Sequence, residues 1–170
     1  MHYAAYNKYD AANGTGLRAS LFVSGCSHRC PRCFNQEAWD YGYGKEFTTE
    51  FEDEIVDDLK NEIRPLKGLS ILGGEPFEEE NRDDILELLK HIKKECPTKS
   101  IWVYSSFLYE EIMEWKQPLL DYVDVLVDGP FVNELKDANL KFRGSSNQRI
   151  IDIKKTKENK EITLVEFKEI

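Results

Sequence analysis

No window of this chain is long or apolar enough to cross a membrane. Met1 to Asp10 is polar and aromatic and holds no apolar run, so no secretory signal is expected. A cytoplasmic location follows as an expectation, with no membrane partner. Positive charge is also in short supply: 23 Lys and Arg stand against 32 Asp and Glu, a net charge of −9. Such a chain cannot neutralise a run of phosphates, so no nucleic-acid partner is expected. There is no internal repeat, no low-complexity segment and no evident acid/base dyad. Cysteine is scarce as well, with 4 in 170 residues. A disulfide-stapled scaffold is excluded, because a reducing cytosol disfavours such bridges.

What the chain does have is size and a cysteine cluster. At 170 residues with 41% hydrophobic content it reads as a single domain, 1–170, able to bury a real core. Three of the four cysteines fall within eight residues, in Gly25-Cys26-Ser27-His28-Arg29-Cys30-Pro31-Arg32-Cys33-Phe34-Asn35. Three close thiols in a reducing compartment point to a metal or cluster site. Structural zinc takes four ligands, often as two separated C-x2-C pairs. Here the pair Cys30/Cys33 stands alone, preceded by Cys26. A fourth zinc ligand would have to be His28 or Cys96. A four-iron cluster on three thiolates is the other option, and it leaves one iron open for chemistry. The spacing favours the cluster.

The rest of the chain alternates strand and helix patterns. Leu17 to Ser24 reads as a buried strand ending at the cysteine loop, after a stretch, Met1 to Gly16, with no clear period. Thr48 or Thr49 caps a helix whose apolar face is Phe51, Ile55, Leu59 and Ile63. Leu69 to Leu72 is a second strand running into Gly73-Gly74-Glu75-Pro76. Asn81 is expected to cap the next helix, with Ile85, Leu88, Leu89, Ile92 and Cys96 on its core face. Ser100 to Tyr104 is a third strand, Tyr109 to Trp115 a short helix, and Tyr122 to Val127 a fourth strand. A polar loop, Asn133 to Asn147, precedes two more expected strands, Gln148 to Ile153 and Glu161 to Phe167, separated by a charged turn at Lys154 to Lys160. This alternation predicts an α/β fold with a mainly parallel sheet. Ligands in such sheets sit beyond the carboxyl ends of the strands. The cysteine loop, Gly73–Pro76, Ser105-Ser106 and Asp128-Gly129 all follow strands, so they should converge. Acids concentrate in Glu46–Glu62 and Glu78–Glu95. Arg18, Arg29 and Arg32 stand in an acid-free stretch, as do Lys141, Arg143 and Arg149, where an anionic partner or cofactor would be attracted.

The triad Cys26, Cys30 and Cys33, with Gly73-Gly74-Glu75-Pro76 after the second strand, resembles the radical S-adenosylmethionine enzymes. A narrower resemblance is to the anaerobic ribonucleoside-triphosphate reductase-activating proteins. It rests on Gly25–Asn35, on Asp124-Val125-Leu126-Val127-Asp128-Gly129-Pro130-Phe131, and on Phe142-Arg143-Gly144-Ser145-Ser146-Asn147-Gln148-Arg149-Ile150. The resemblance implies a partial, open β/α barrel of the radical S-adenosylmethionine type. It implies a [4Fe–4S] cluster on Cys26, Cys30 and Cys33, with S-adenosylmethionine chelating the open iron. It implies that Arg32, Cys33 and Phe34 border the adenine, and that Gly74, with Gly73 and Glu75 as weaker candidates, meets the methionine amino group. Asp128 and Arg143 contact a ligand or brace a loop, and Asn147 and Gln148 satisfy backbone in the long loop. The implied reaction takes a hydrogen atom from a glycine Cα of an anaerobic ribonucleoside-triphosphate reductase, after reduction by a flavodoxin-like electron donor. The cofactors carry this chemistry, so no side-chain acid or base is assigned as catalytic.

Two positions depart from that pattern. Arg32 stands where the superfamily often has an aromatic, and Ser105-Ser106-Phe107 replaces a Thr-Gly-aromatic turn. Two other functions remain open on sequence. One is activation of a different glycyl-radical enzyme, such as pyruvate formate-lyase, or radical chemistry on a small molecule. The other is a non-catalytic zinc-binding module.

Overall fold

The apolar runs that precede the turns do pair as strands. A computed structural model describes residues 1–33 and 35–167. In chain order its strands and helices are β1 (His2–Asp10), β2 (Arg18–Val23), β3 (Lys45–Glu46), α1 (Thr49–Lys60), β4 (Gly68–Gly73), α2 (Glu79–Glu95), β5 (Ser100–Ser105), α3 (Tyr109–Ile112), β6 (Val125–Asp128), β7 (Arg149–Asp152) and α4 (Ile153–Asn159). The strands form one sheet in the order β3-β1-β2-β4-β5-β6-β7. Its centre, β2-β4-β5-β6, is parallel. β1, β3 and β7 pair antiparallel at the two sides. The expected α/β fold with a largely parallel open sheet is what forms.

Register divides the sheet into two unlike faces. Leu21, Ile71, Val103, Leu126 and Ile151 lie side by side across five strands, all fully buried. They share one core with Ile55, Val56 and Leu59 of α1 and Ile85, Leu88, Leu89 and Ile92 of α2. The opposite face carries Ser20, Ser70 and Trp102 in one row, and Phe22 and Leu72 in the next, with Tyr104 beside Val127. Its apolar part is a smaller cluster of Trp102, Val127 and Ile150, closed by Phe142, Val165 and Phe167. Helices therefore cover one face, and the other is left for a cavity.

Arg18 is buried on this second face, at 1% exposure. It cannot serve an anionic partner, as its place in a basic stretch suggested. Its guanidinium instead donates to Ser70 Oγ, to Ser100 Oγ and to the carbonyls of Thr15, Leu69 and Ser100. It also lies 5.6 Å from the Trp102 ring. These bonds tie together the amino-terminal ends of β2, β4 and β5.

Several boundaries differ from the sequence expectation, each for a local reason. β1 was hidden because its register slips between Tyr3 and Ala5 and again between Asn7 and Asp10, which breaks the two-residue period. Ile63 is 95% exposed rather than on the α1 face. The helix stops at Lys60, and the Asn61 side chain accepts from the Ile63 N–H at 2.8 Å, turning the chain away. Asn81 lies inside α2 and is not its cap. Helical structure after Tyr109 ends at Ile112, and Leu119–Tyr122 is a 3-10 turn before β6. Lys154 to Lys160 is not a turn. Asp152 accepts from the Lys155 N–H and starts α4, which Lys160 ends in the left-handed region. Glu161 to Phe167 forms no regular strand; it pairs with β7 at one isolated bridge, Ile151 to Leu164.

The corrected helix end makes a contrast that urea denaturation can measure. Leu59→Ala should cost about 2–5 kcal/mol, the range for emptying a core leucine site. Ile63→Lys should change stability by less than about 0.5 kcal/mol, as an exposed position does.

Candidate functional site

β2 and β4 are adjacent and parallel, so the loops that follow them leave the sheet side by side. The Gly74 N–H donates to the Val23 carbonyl at 2.8 Å, and the Glu75 N–H to the Gly25 carbonyl at 2.7 Å. The Gly25 N–H donates in turn to the Ala38 carbonyl at 2.7 Å. Contact this close requires glycine. A Cβ on Gly74 would lie 2.6 Å from the Gly25 carbonyl oxygen, and Gly73 has a φ of +110° with a Cβ position 2.7 Å from the Val23 nitrogen.

Glu75 is fully buried beneath this seam. Its carboxylate accepts from the Phe77 N–H (2.9 Å), the Ser105 hydroxyl (2.9 Å) and the Ser106 N–H (2.6 Å). Burial pushes Glu75 up to about 7, and the three donors oppose that rise. Two further side chains clamp the cysteine loop. Glu78 accepts from both the N–H and the hydroxyl of Ser27, at 2.7 and 2.6 Å. Asn81 reaches back from α2 to donate to the Ser24 and Glu75 carbonyls. Sequence reading missed both roles. An acid and an asparagine at a helix start look like ordinary capping residues, and only the packing of α2 against the loop redirects them.

A cavity of about 360 Å³ opens at these strand ends. Cys26, Cys30 and Cys33 border it together with Gly73, Gly74, Tyr104, Ser105 and Ser106. Gly129, Phe131, Leu140, Phe142, Arg143 and Gln148 close the far side. All three thiols are free. The donor set fits an iron–sulfur cluster. The Asn35 N–H points at Cys33 Sγ at 3.4 Å, and the backbone N–H groups of His28 and Arg29 favour a charged sulfur at Cys26. Hydrogen bonds to sulfur of this kind tune such clusters. Burial, with the nearby Glu75 and Glu78 charges, outweighs these bonds and pushes the Cys26 thiol up to about 11. Among the described residues no three His, Cys, Asp or Glu side chains group closely enough to hold one metal ion.

Comparison with known proteins agrees with this geometry. A family model described as a 4Fe-4S single cluster domain matches residues 12–151. The anaerobic ribonucleoside-triphosphate reductase-activating protein of Vibrio cholerae is 44% identical over 150 residues, covering 88% of this chain and 97% of that protein. The protein of that name in Escherichia coli K12 is 44% identical over 87% of this chain and 96% of its own length. That of Enterobacteria phage T4 is 35% identical over 88% of this chain and 93% of its own. The chain belongs to the family of anaerobic ribonucleoside-triphosphate reductase-activating proteins.

For this member of the reductase-activating family, the residues singled out from sequence divide into two groups. Cys26, Cys30, Cys33, Gly73, Gly74, Arg143 and Gln148 line the cavity. Glu75 does not; its side chain braces the loop after β4 against the loop after β5. Arg32 is exposed, in the left-handed region at φ 57°, and is not among the lining residues. Phe34 lies outside the described residues. Asp128 is a brace, accepting from the Tyr109 N–H and from two nitrogens of Arg149. Arg143 donates to the Ser146 and Gln148 carbonyls, Asn147 to the Pro130 carbonyl, and Gln148 bridges Gly144, Ser145 and Gly129. The long loop thus satisfies its own backbone. Of the two candidates for a fourth zinc ligand, Cys96 is committed elsewhere. Cys96 Sγ sits 3.9 Å from the Val56 carbonyl in the helical core. The His28 ring packs edge-on against Phe107 with Nε2 3.7 Å from Glu75.

Glu75→Gln tests the brace. An amide nitrogen would replace one acceptor and face a buried donor, so stability to urea should fall by about 1–3 kcal/mol. The pH dependence has a definite sign. A folded-state value raised from 4.5 to about 7 means that folding takes up a proton. The contribution is complete below about 4.5 and is lost as pH rises through about 7. Wild-type stability should therefore decline more steeply than that of Glu75→Gln between pH 5 and 8.

Proposed function

We propose that this chain generates the glycyl radical on an anaerobic ribonucleoside-triphosphate reductase by reductive cleavage of S-adenosylmethionine at a [4Fe–4S] cluster. The observation that carries this reading is the shared cavity. Three free cysteines and the Gly73-Gly74 turn border one space at the carboxyl ends of parallel strands. The names of the relatives supply the partner. In this reading residues 1–170 act as one radical S-adenosylmethionine domain in the cytoplasm. No helix among the described residues is long and apolar enough to cross a membrane.

Each residue has a specific task. Cys26, Cys30 and Cys33 hold the cluster and leave one iron without a protein ligand. Gly74, with Gly73, offers backbone to the methionine amino group, at a turn where any side chain would collide. Cys33, the one adenine candidate among the described residues of the cysteine loop that lines the cavity, borders the adenine. Glu75 holds the glycine turn in place from below, and Ser105 supplies the hydroxyl that binds it. Phe131, Leu140 and Phe142 shield the cavity from water. When bound, the cluster and S-adenosylmethionine supply the one-electron chemistry that removes a hydrogen atom from a glycine Cα. A flavodoxin-like donor is the proposed source of the electron. Arg29 and Arg32 are exposed on the cysteine loop and would face an acidic donor.

The decisive experiment uses protein purified anaerobically and reconstituted with iron and sulfide. After dithionite reduction, electron paramagnetic resonance should show a cluster signal whose shape changes on adding S-adenosylmethionine. Cys26→Ser, Cys30→Ser and Cys33→Ser should each lose most of the signal, whereas Cys96→Ser should keep it. A colourless protein with stoichiometric zinc would end this reading. A cluster that forms radicals on another glycyl-radical enzyme but not on the reductase would move the assignment to that partner.

Reversing Arg29 and Arg32 to glutamate should slow reduction by flavodoxin several-fold at low salt, and the difference should shrink as salt screens it. Stopped-flow measurement of cluster reduction gives the rates. Equal rates would remove these arginines from the docking face.

A further inference from the structure

Among the described residues, three buried side-chain polar atoms have no hydrogen-bond partner: His28 Nε2, Trp39 Nε1 and the Tyr104 hydroxyl. Two of these side chains, Trp39 and Tyr104, line the same cavity as the cysteines. They approach it from different elements. Trp39 comes from the short 3-10 turn after the cysteine loop, and Tyr104 from the carboxyl end of β5. Buried hydroxyl and indole N–H groups are satisfied in nearly all folded proteins, because leaving one unpaired costs free energy. Two such orphans in one cavity wall indicate that an incoming molecule completes them.

Tyr104 is the better placed of the two. Its neighbour Ser105 is committed to Glu75, whereas the Tyr104 hydroxyl, buried in a residue that lines the cavity, is left without a partner. Burial raises the Tyr104 phenol well above its ordinary value, outweighing the nearby Arg18 charge, so it stays protonated and able to donate. No hydrogen-bond acceptor among the described residues reaches it. We propose that Tyr104 is a positioning residue whose hydroxyl donates a hydrogen bond to S-adenosylmethionine bound in the cavity. This rests on the cofactor named under the proposed function. The cofactor suits two donors, since its carboxylate, ribose hydroxyls and adenine nitrogens are all acceptors.

Tyr104→Phe removes the hydroxyl and keeps the ring. The variant is reconstituted alongside the wild type. Iron and sulfide content, thermal stability without cofactor, and S-adenosylmethionine affinity by anaerobic calorimetry are then compared. The expected result is unchanged cluster content, stability equal to or above the wild type, and a Kd raised about five- to tenfold, the worth of one hydrogen bond. The unchanged stability is a signature that a bracing hydroxyl would not give. An unaltered Kd would overturn the proposal, and would mean that water or the partner's glycine segment satisfies Tyr104. Loss of stability or of cluster in the variant would also overturn it, since the hydroxyl would then serve the fold. A fully loaded wild type that binds no S-adenosylmethionine would instead refute the proposed function itself.

Discussion

The site depends on a backbone seam between two parallel strands. Gly74 and Glu75 give their N–H groups to the Val23 and Gly25 carbonyls, so the loop after β4 is stitched to the entry of the cysteine loop. The seam exists because two glycines let main chain meet main chain at a distance no Cβ allows. The carboxylate at Glu75 then fixes the seam from beneath. It is a buried acid, and burial of a charge is costly unless donors surround it. Phe77, Ser105 and Ser106 provide those donors, the last two from the end of β5 and the loop that follows it. One carboxylate thereby sets the relative positions of two strand ends that border the cavity.

The sheet can support such a site because its faces are chemically different. One face is a continuous aliphatic layer under α1 and α2, and supplies most of the hydrophobic stabilisation. The other holds serines, aromatics and a buried arginine. Among the described residues no carboxylate lies within hydrogen-bond reach of Arg18, yet five contacts to carbonyls and hydroxyls satisfy it, and burial pulls it down to about 10. It closes the amino-terminal end of this face while the cysteine and glycine loops form the carboxyl-terminal end. The cavity lies at the second end, where strands of a parallel sheet present their loops.

Much of this was legible in the sequence, and what was not has physical causes. The parallel strands, the faces of α1 and α2 and the burial of Cys96 follow from apolar periodicity. The cysteine triad follows from spacing. β1 was not legible because its bulges break the alternation that marks a strand. α4 was not, because five charged residues in Lys154–Lys160 look like a turn until Asp152 is seen to cap them. Glu78 and Asn81 are short polar residues at a helix start, where capping and long-range clamping read alike. Their contacts span 51 and 57 residues, beyond the reach of any local pattern.

The sequence alone determined which atoms are available: three clustered thiols, two adjacent glycines, and an acid placed after them. These are local facts, fixed by residue identity and spacing. Tertiary structure decided their use. It set Glu75 beneath the turn rather than in the cavity, turned Asn81 from a cap into a clamp, and buried Arg18 away from any partner. It also left Tyr104 and Trp39 with unspent hydrogen bonds at the cavity wall. The reason is that satisfaction of a buried polar group is a property of everything packed around it, and those neighbours arrive from distant parts of the chain.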